Sequence, residues 1–115
     1  MSQTTPIVSK TYDFILWVLP KLAKFPRDQR FLLGDRIETT LLECLELLIE
    51  AVYSKEKRKV LRDVNLKLEK LRFLWRISRD MRYIPIKSYE FGARSINEIG
   101  KMAGGWIKSE LRRSF

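Results

Sequence analysis

Four arginines, Arg72, Arg76, Arg79 and Arg82, punctuate the stretch KLEKLRFLWRISRDMR at positions 67–82. Three of them, Arg72, Arg76 and Arg79, fall at i, i+4 and i+7, which on an α-helix places them in one stripe. A guanidinium offers a planar fork of N–H donors that meets a phosphate through two parallel hydrogen bonds, so a row of arginines is chemistry for an extended polyanion. Lys67, Lys70 and Arg82 lie in the same stretch and add to its charge. A solvated face with local ion pairs, Glu69 with Arg72 and Asp80 with Arg76, is the plainer use of such residues. It leaves most of the segment unexplained, because residues 55–82 carry eleven Lys or Arg against four Asp or Glu.

Other chemistries lack their residues. The absence of histidine removes the commonest general base and the commonest metal ligand. The one cysteine, Cys44, supports neither a zinc site nor a disulfide framework within the chain, and its leucine neighbours read it as a small buried hydrophobe. Gly34, Gly92, Gly100, Gly104 and Gly105 fit no phosphate-binding loop or dinucleotide fingerprint. No pair of carboxylates stands among apolar neighbours as acid–base catalysis would prefer. The expectation is a protein that is not an enzyme and that uses no metal and no cofactor.

Across 115 residues the formal net charge is +9, and 45% of the residues are hydrophobic. That length is one domain, and that apolar fraction is enough to fold it. A basic excess of this size favours nucleic acid first and an anionic membrane surface second. The apolar run Phe14–Leu19 stops at Pro20, too short for a membrane span and embedded in a helical pattern rather than a secretory leader. The chain is therefore read as cytoplasmic, without a membrane partner.

The stripe must be held by something, and the apolar periodicity says four helices. The first runs from about Val8 to Lys24, with Val8, Tyr12, Ile15, Leu16, Leu19 and Leu22 inward and a kink at Pro20. Phe25-Pro26 breaks the chain, with proline set for a first helical turn. The second helix reaches Tyr53, with Leu33, Ile37, Leu41, Cys44, Leu48 and Ala51 inward. The third extends from an N-cap at Ser54 to about Tyr83, with Leu61, Val64, Leu68, Leu71, Trp75 and Ser78 inward. The fourth runs from Ile86 to Leu111, with Tyr89, Ala93, Ile96, Ile99, Ala103 and Trp106 available to the core. Short connections between long helices predict an all-α, antiparallel up-down-up-down four-helix bundle filling residues 1–115 as a single domain.

Charge is distributed unevenly over these helices. Residues 55–82 carry a net +7, whereas residues 26–54 carry −3. In the acidic helix Glu43, Glu46 and Glu50 form a stripe, either solvated or facing a basic helix of another subunit. Lys101, Lys108, Arg112 and Arg113 on the last helix can extend the basic surface. That helix also holds three glycines within six positions, each costing about 1 kcal/mol relative to alanine. Gly100 and Gly104, with Ala103, make a smooth surface for close helix approach, within the bundle or between subunits with Trp106 as an aromatic anchor. A helix end at Gly104-Gly105 is the weaker alternative, since the apolar phase continues through Trp106, Ile107 and Leu111.

Four stretches, in this order, resemble the accessory variability determinant (Avd) proteins of diversity-generating retroelements. They are Thr11-Tyr12-Asp13 leading into Leu16-Trp17 and Pro20; Lys24-Phe25-Pro26 with Gln29-Arg30-Phe31-Leu32-Leu33-Gly34; Leu68-Glu69-Lys70-Leu71-Arg72 with Arg76 and Asp80; and Asn97-Glu98-Ile99-Gly100-Lys101-Met102 with Gly104-Gly105-Trp106-Ile107-Lys108. The likeness covers about Thr11 to Ser109 and extends to a wider set of bacterial four-helix bundles that includes ribosomal-RNA intervening-sequence proteins. It departs at Arg82-Tyr83-Ile84-Pro85-Ile86, where such proteins often carry a serine-containing turn.

The resemblance implies a basic homo-oligomer, a pentamer, that associates with the retroelement's reverse transcriptase and binds its structured RNA, supporting mutagenic copying without being a polymerase. Carried onto this chain, Arg72, Arg76 and Arg79 lie in the matching stretch, while Lys67, Lys70 and Arg82 join them on charge alone. Gly100, Gly104 and Trp106 are given to packing or assembly. Two other readings stand beside it. One is a free-standing RNA-binding bundle of the intervening-sequence type; the other is a structural oligomer with no role on nucleic acid.

Overall fold

The computed structural model describes residues 5–113, and all the regular structure among them is helical. The elements are α1 (Thr5–Leu22), a single turn α2 (Arg27–Gln29), a π-helical segment (Arg30–Gly34), α3 (Asp35–Tyr53), α4 (Lys57–Asp80) and α5 (Ile86–Arg113). Because α2, the π segment and α3 follow without a break, the architecture is the predicted four-helix bundle, drawn out to 50 Å in its long direction.

Side-chain pairs give the direction of each neighbour. Lys10 meets Glu98 at 2.8 Å while Trp17 packs on Phe91 with ring centroids 4.5 Å apart, so α1 and α5 run oppositely. Glu43 pairs with Lys67 while Lys57 reaches Ala51 and Val52, and Trp75 meets Tyr89 while Arg72 meets Asn97. Both sets are antiparallel, compatible with up-down-up-down order.

The seams of α3 and α4 are those the periodicity predicts: Ile37, Leu41, Cys44, Leu48 and Ala51 on one, Leu61, Val64, Leu68, Leu71, Trp75 and Ser78 on the other. On α1 the buried face is turned by about one residue. Ile7, Thr11, Phe14, Ile15, Val18 and Leu22 are buried, whereas Tyr12 and Leu16, expected inside, are each 53% exposed. The reason is Thr11, whose hydroxyl donates to the Ile7 carbonyl at 2.9 Å and can therefore enter the core at no unmet polar cost. Thr40 and Ser78 satisfy their hydroxyls in the same way on Arg36 and Leu74. Pro20 lies inside α1, two residues before its end.

Helix ends differ from the sequence expectation at three places. Ser54 closes α3 instead of opening α4: its N–H donates to the Glu50 carbonyl and its Oγ accepts from Glu56 N–H, both at 2.9 Å. Lys57 then drives its ammonium onto the carbonyls of Ala51, Val52 and Ser54 at 2.9, 2.8 and 3.0 Å. A cation there meets the negative end of the α3 dipole and satisfies orphan acceptors. The π segment is the second difference, a one-residue widening that the unbroken apolar spacing of Arg30–Gly34 hides.

The third is the end of α4, at Asp80 and not Tyr83. Tyr83 N–H donates to Ser78 O and Arg82 N–H to Arg79 O, each at 2.9 Å, with Arg82 at φ 63°. This is a Schellman closure with arginine where glycine is favoured, a left-handed residue costing about 1 kcal/mol. Arg82→Gly is expected to raise stability by about that amount, read as a higher urea midpoint at unchanged slope.

Cys44 is fully buried, and desolvation pushes its thiol up to about 12, against smaller opposing and reinforcing effects of Lys67 and Glu43. It is expected to resist a thiol reagent at pH 8 in the native protein and to react at once in denaturant. Fast native labelling would contradict the packing described.

Candidate nucleic-acid interface

The arginine stripe lies along the seam between α4 and α5, and its members are held differently. Arg72 is fixed: Nε donates to Asn97 Oδ1 at 3.0 Å and Nη1 to Glu69 at 2.9 Å. Its guanidinium crosses Gly100, where an added Cβ would come within 2.9 Å of Nη2. Arg79 pairs with Asp80 at 2.9 Å and lies 4.7 Å from the centre of the Tyr89 ring. Asp80 thus takes Arg79 and not Arg76, the partner expected from sequence. Arg76 is exposed, has no ionic partner among the described residues, and sits 5.9 Å from the Phe73 ring centre.

The three further cations divide. Lys67 is drawn to Glu43 at 2.7 Å and tightens the α3–α4 packing, so its charge is largely spent inside the bundle. Lys70 and Arg82 are exposed and carry no ion pair among the described residues. The same Lys67 bond turns Glu43 toward α4, leaving Glu46 and Glu50 as the exposed part of the acidic stripe.

Between α4 and α5 two members of the stripe, Arg72 and Arg76, line a cleft of about 250 Å³. Glu69, Arg72, Phe73 and Arg76 line it from α4, Tyr89 and Asn97 from α5, with the buried Trp75 beneath. Lys101 and Lys108, both exposed, follow Asn97 along α5 at i+4 and i+11 and continue the charge on that edge.

A second basic cluster stands at the opposite end of α4. Lys55, Arg58, Lys59 and Arg62 surround a depression of about 370 Å³ that Glu110 also borders. The sequence reading places no site there, although the run Lys55-Glu56-Lys57-Arg58-Lys59 carries the signal. Lys57 is the exception in that run, being committed to the end of α3.

The glycines of α5 also separate. Gly100 lies under Arg72, a close approach within the bundle. Gly104 and Gly105 have open space where a Cβ would stand, and α5 runs on past them to Arg113, so neither ends the helix. Trp106 is half-buried against the core.

Large apolar side chains are also exposed on the helices away from the arginine seam. Tyr12 and Leu16 on α1, Phe31 and Leu32 on the π segment, and Leu42, Ile49 and Tyr53 on α3 are all exposed. Glu43 marks the flank of α3 that faces α4, and Leu42, Ile49 and Tyr53 fall on the other flank, toward α1. Leu66, Phe73 and Ile77 on α4, Met81 after it, and Ile86, Phe91 and Leu111 on α5 are exposed as well, so apolar surface is shared by both halves of the bundle while the arginine seam lies between α4 and α5.

Among the described residues no cluster of His, Cys, Asp or Glu could hold a metal, and no helix is long and apolar enough to cross a membrane. No curated protein matches the chain. The sequence model of a protein family described as bAvd-like matches residues 6–110.

Proposed function

The chain belongs to the bAvd-like family, and from that premise we propose that it is a non-catalytic accessory protein of a diversity-generating retroelement, acting in the cytoplasm, that holds structured RNA against a reverse transcriptase during mutagenic copying. The observation that carries this reading is the arginine seam: Arg72 and Arg76 line one cleft, and Arg79 covers the Tyr89 ring that also lines it. Lys101 and Lys108 continue the exposed charge along α5, and Lys70 and Arg82 add exposed charge elsewhere in the arginine stretch. Phosphates spaced along a folded RNA are the natural counterpart of cations spaced along two antiparallel helices.

The exposed apolar residues of α1, the π segment and α3 are assigned to protein partners. Seven exposed large side chains there exceed what a solvated bundle needs, and burying them against sister subunits or the polymerase removes that surface from water. A homo-oligomer, a pentamer as in the proteins it resembles, would repeat the arginine seams around a common axis, multiplying the phosphates met on each RNA.

The test is co-purification with the reverse transcriptase encoded nearest to it, after nuclease treatment. A complex that survives nuclease supports an accessory subunit. A bundle that elutes alone yet binds structured RNA overturns the polymerase link and leaves a free-standing RNA-binding bundle.

A further inference from the structure

We propose that the α4–α5 cleft receives a single unpaired nucleobase, so that the protein reads bulges or loops in its RNA and not only the charge of a duplex. The inference rests on the RNA-binding reading above and adds a ligand to the arginine seam.

Size comes first. About 250 Å³ is below the range of roughly 300–1,000 Å³ typical of extended small-molecule sites, and suits one flat ring system. Chemistry comes second. Tyr89 is closely covered by Arg79 at 4.7 Å, whereas Phe73, 56% exposed at the cleft edge, has no aromatic partner among the described residues and meets only the unpaired Arg76 guanidinium, at the longer distance of 5.9 Å from its ring centre. An aromatic ring and a free guanidinium are the two side-chain planes on which unstacked bases are commonly received.

Polar groups come third. Asn97 Oδ1 accepts from Arg72 Nε, which leaves the Asn97 amide N–H groups to meet an acceptor on a base edge. Arg76 has no ion pair among the described residues, the cleft's one carboxylate, Glu69, being held by Arg72, so it can take the phosphate attached to the received base. Beneath, Trp75 and Ile96 are buried and supply an apolar floor. An apolar side chain of a protein partner would use the floor but would gain nothing from the arginines at the mouth. A paired base cannot enter at all, because it is held in its stack.

The probe is an RNA hairpin carrying one bulged 2-aminopurine, compared with the fully paired hairpin of the same length. The wild-type protein is expected to bind the bulged hairpin roughly tenfold more tightly and to change the fluorescence of the bulged base. Phe73→Ala is expected to abolish both the preference and the fluorescence change while binding the paired hairpin as before. Phe73→Trp is expected to retain both, since it keeps a stacking face at an exposed position that does not support the core.

Equal affinity for the two hairpins, or a preference that survives Phe73→Ala, would overturn the cleft assignment while leaving the RNA-binding reading standing. Failure to bind either hairpin would overturn both. A bulge preference unchanged by Phe73→Ala, together with loss of the reverse transcriptase in a pull-down, would reassign the cleft to a protein side chain.

Discussion

Replacing Gly92 by alanine should destabilise the bundle by roughly 2 kcal/mol, although alanine is the better helix former by about 1 kcal/mol. Gly92 is buried on α5 directly against Trp75 of α4. A Cβ built there would stand 2.5 Å from Trp75 Nε1 and 2.6 Å from Cε2 and Cζ2, separations no packed structure tolerates. The indole cannot swing aside. It is 1% exposed, and its N–H donates to the Tyr89 carbonyl at 3.0 Å, so moving it breaks a partly buried hydrogen bond and opens a void beside it. The backbones of α4 and α5 must separate instead, along the seam that positions Arg72, Arg76 and Arg79.

Trp75→Leu provides the cross-check. Alone it should cost about 3 kcal/mol through lost burial and a cavity. In that background Gly92→Ala should become neutral or slightly favourable, because the atoms it would strike are gone. Urea unfolding of the four proteins measures the coupling directly, and strict additivity would contradict the close packing of Gly92 on Trp75.

The second large effect is on binding. Changing Arg72, Arg76 and Arg79 together to glutamine should weaken structured-RNA binding about a hundredfold, at about 1 kcal/mol for each arginine. The slope of log K against log salt should fall by about 0.7–0.9 for each phosphate that is no longer neutralised. Helical content should persist, since none of the three is buried and the core lies on another face of α4. The single variants should not be equal. Arg76, without an ion pair, should have the largest effect, whereas Arg72 and Arg79 must give up part of Glu69, Asn97 or Asp80 to engage a phosphate. Lys67→Gln makes a control: it should leave the salt slope unchanged and cost a little stability through Glu43.

How much of this is legible in the sequence follows from where the information resides. The α3 and α4 seams are readable because their inward residues are nearly all apolar and evenly spaced. The α1 face is misread because Thr11, polar by type, is buried by a bond to its own helix, so apolar periodicity assigns it to the surface. The arginine stripe is visible as a stripe, since i, i+4 and i+7 fix its phase on one helix. The state of each cation is not, because it depends on the neighbouring helix: Lys67 finds Glu43 and Arg72 finds Asn97 across gaps of 24 and 25 residues. Gly92 is invisible for the same reason. Nothing near it in the chain says that a tryptophan ring lies against it. Arg82 shows its charge but not its left-handed backbone, which arises from how α4 must stop before α5 can begin.

The measurement that bears most directly on the central claim is the mass of the particle formed when this protein, the reverse transcriptase and structured RNA are mixed, determined by light scattering on an eluting peak. Wild-type protein should give one ternary particle, and the triple arginine variant should keep the polymerase while losing the RNA, since the two partners are assigned to different residues of the bundle. A triple variant that still carries RNA into the particle, or a wild-type protein that joins neither component, would contradict the account.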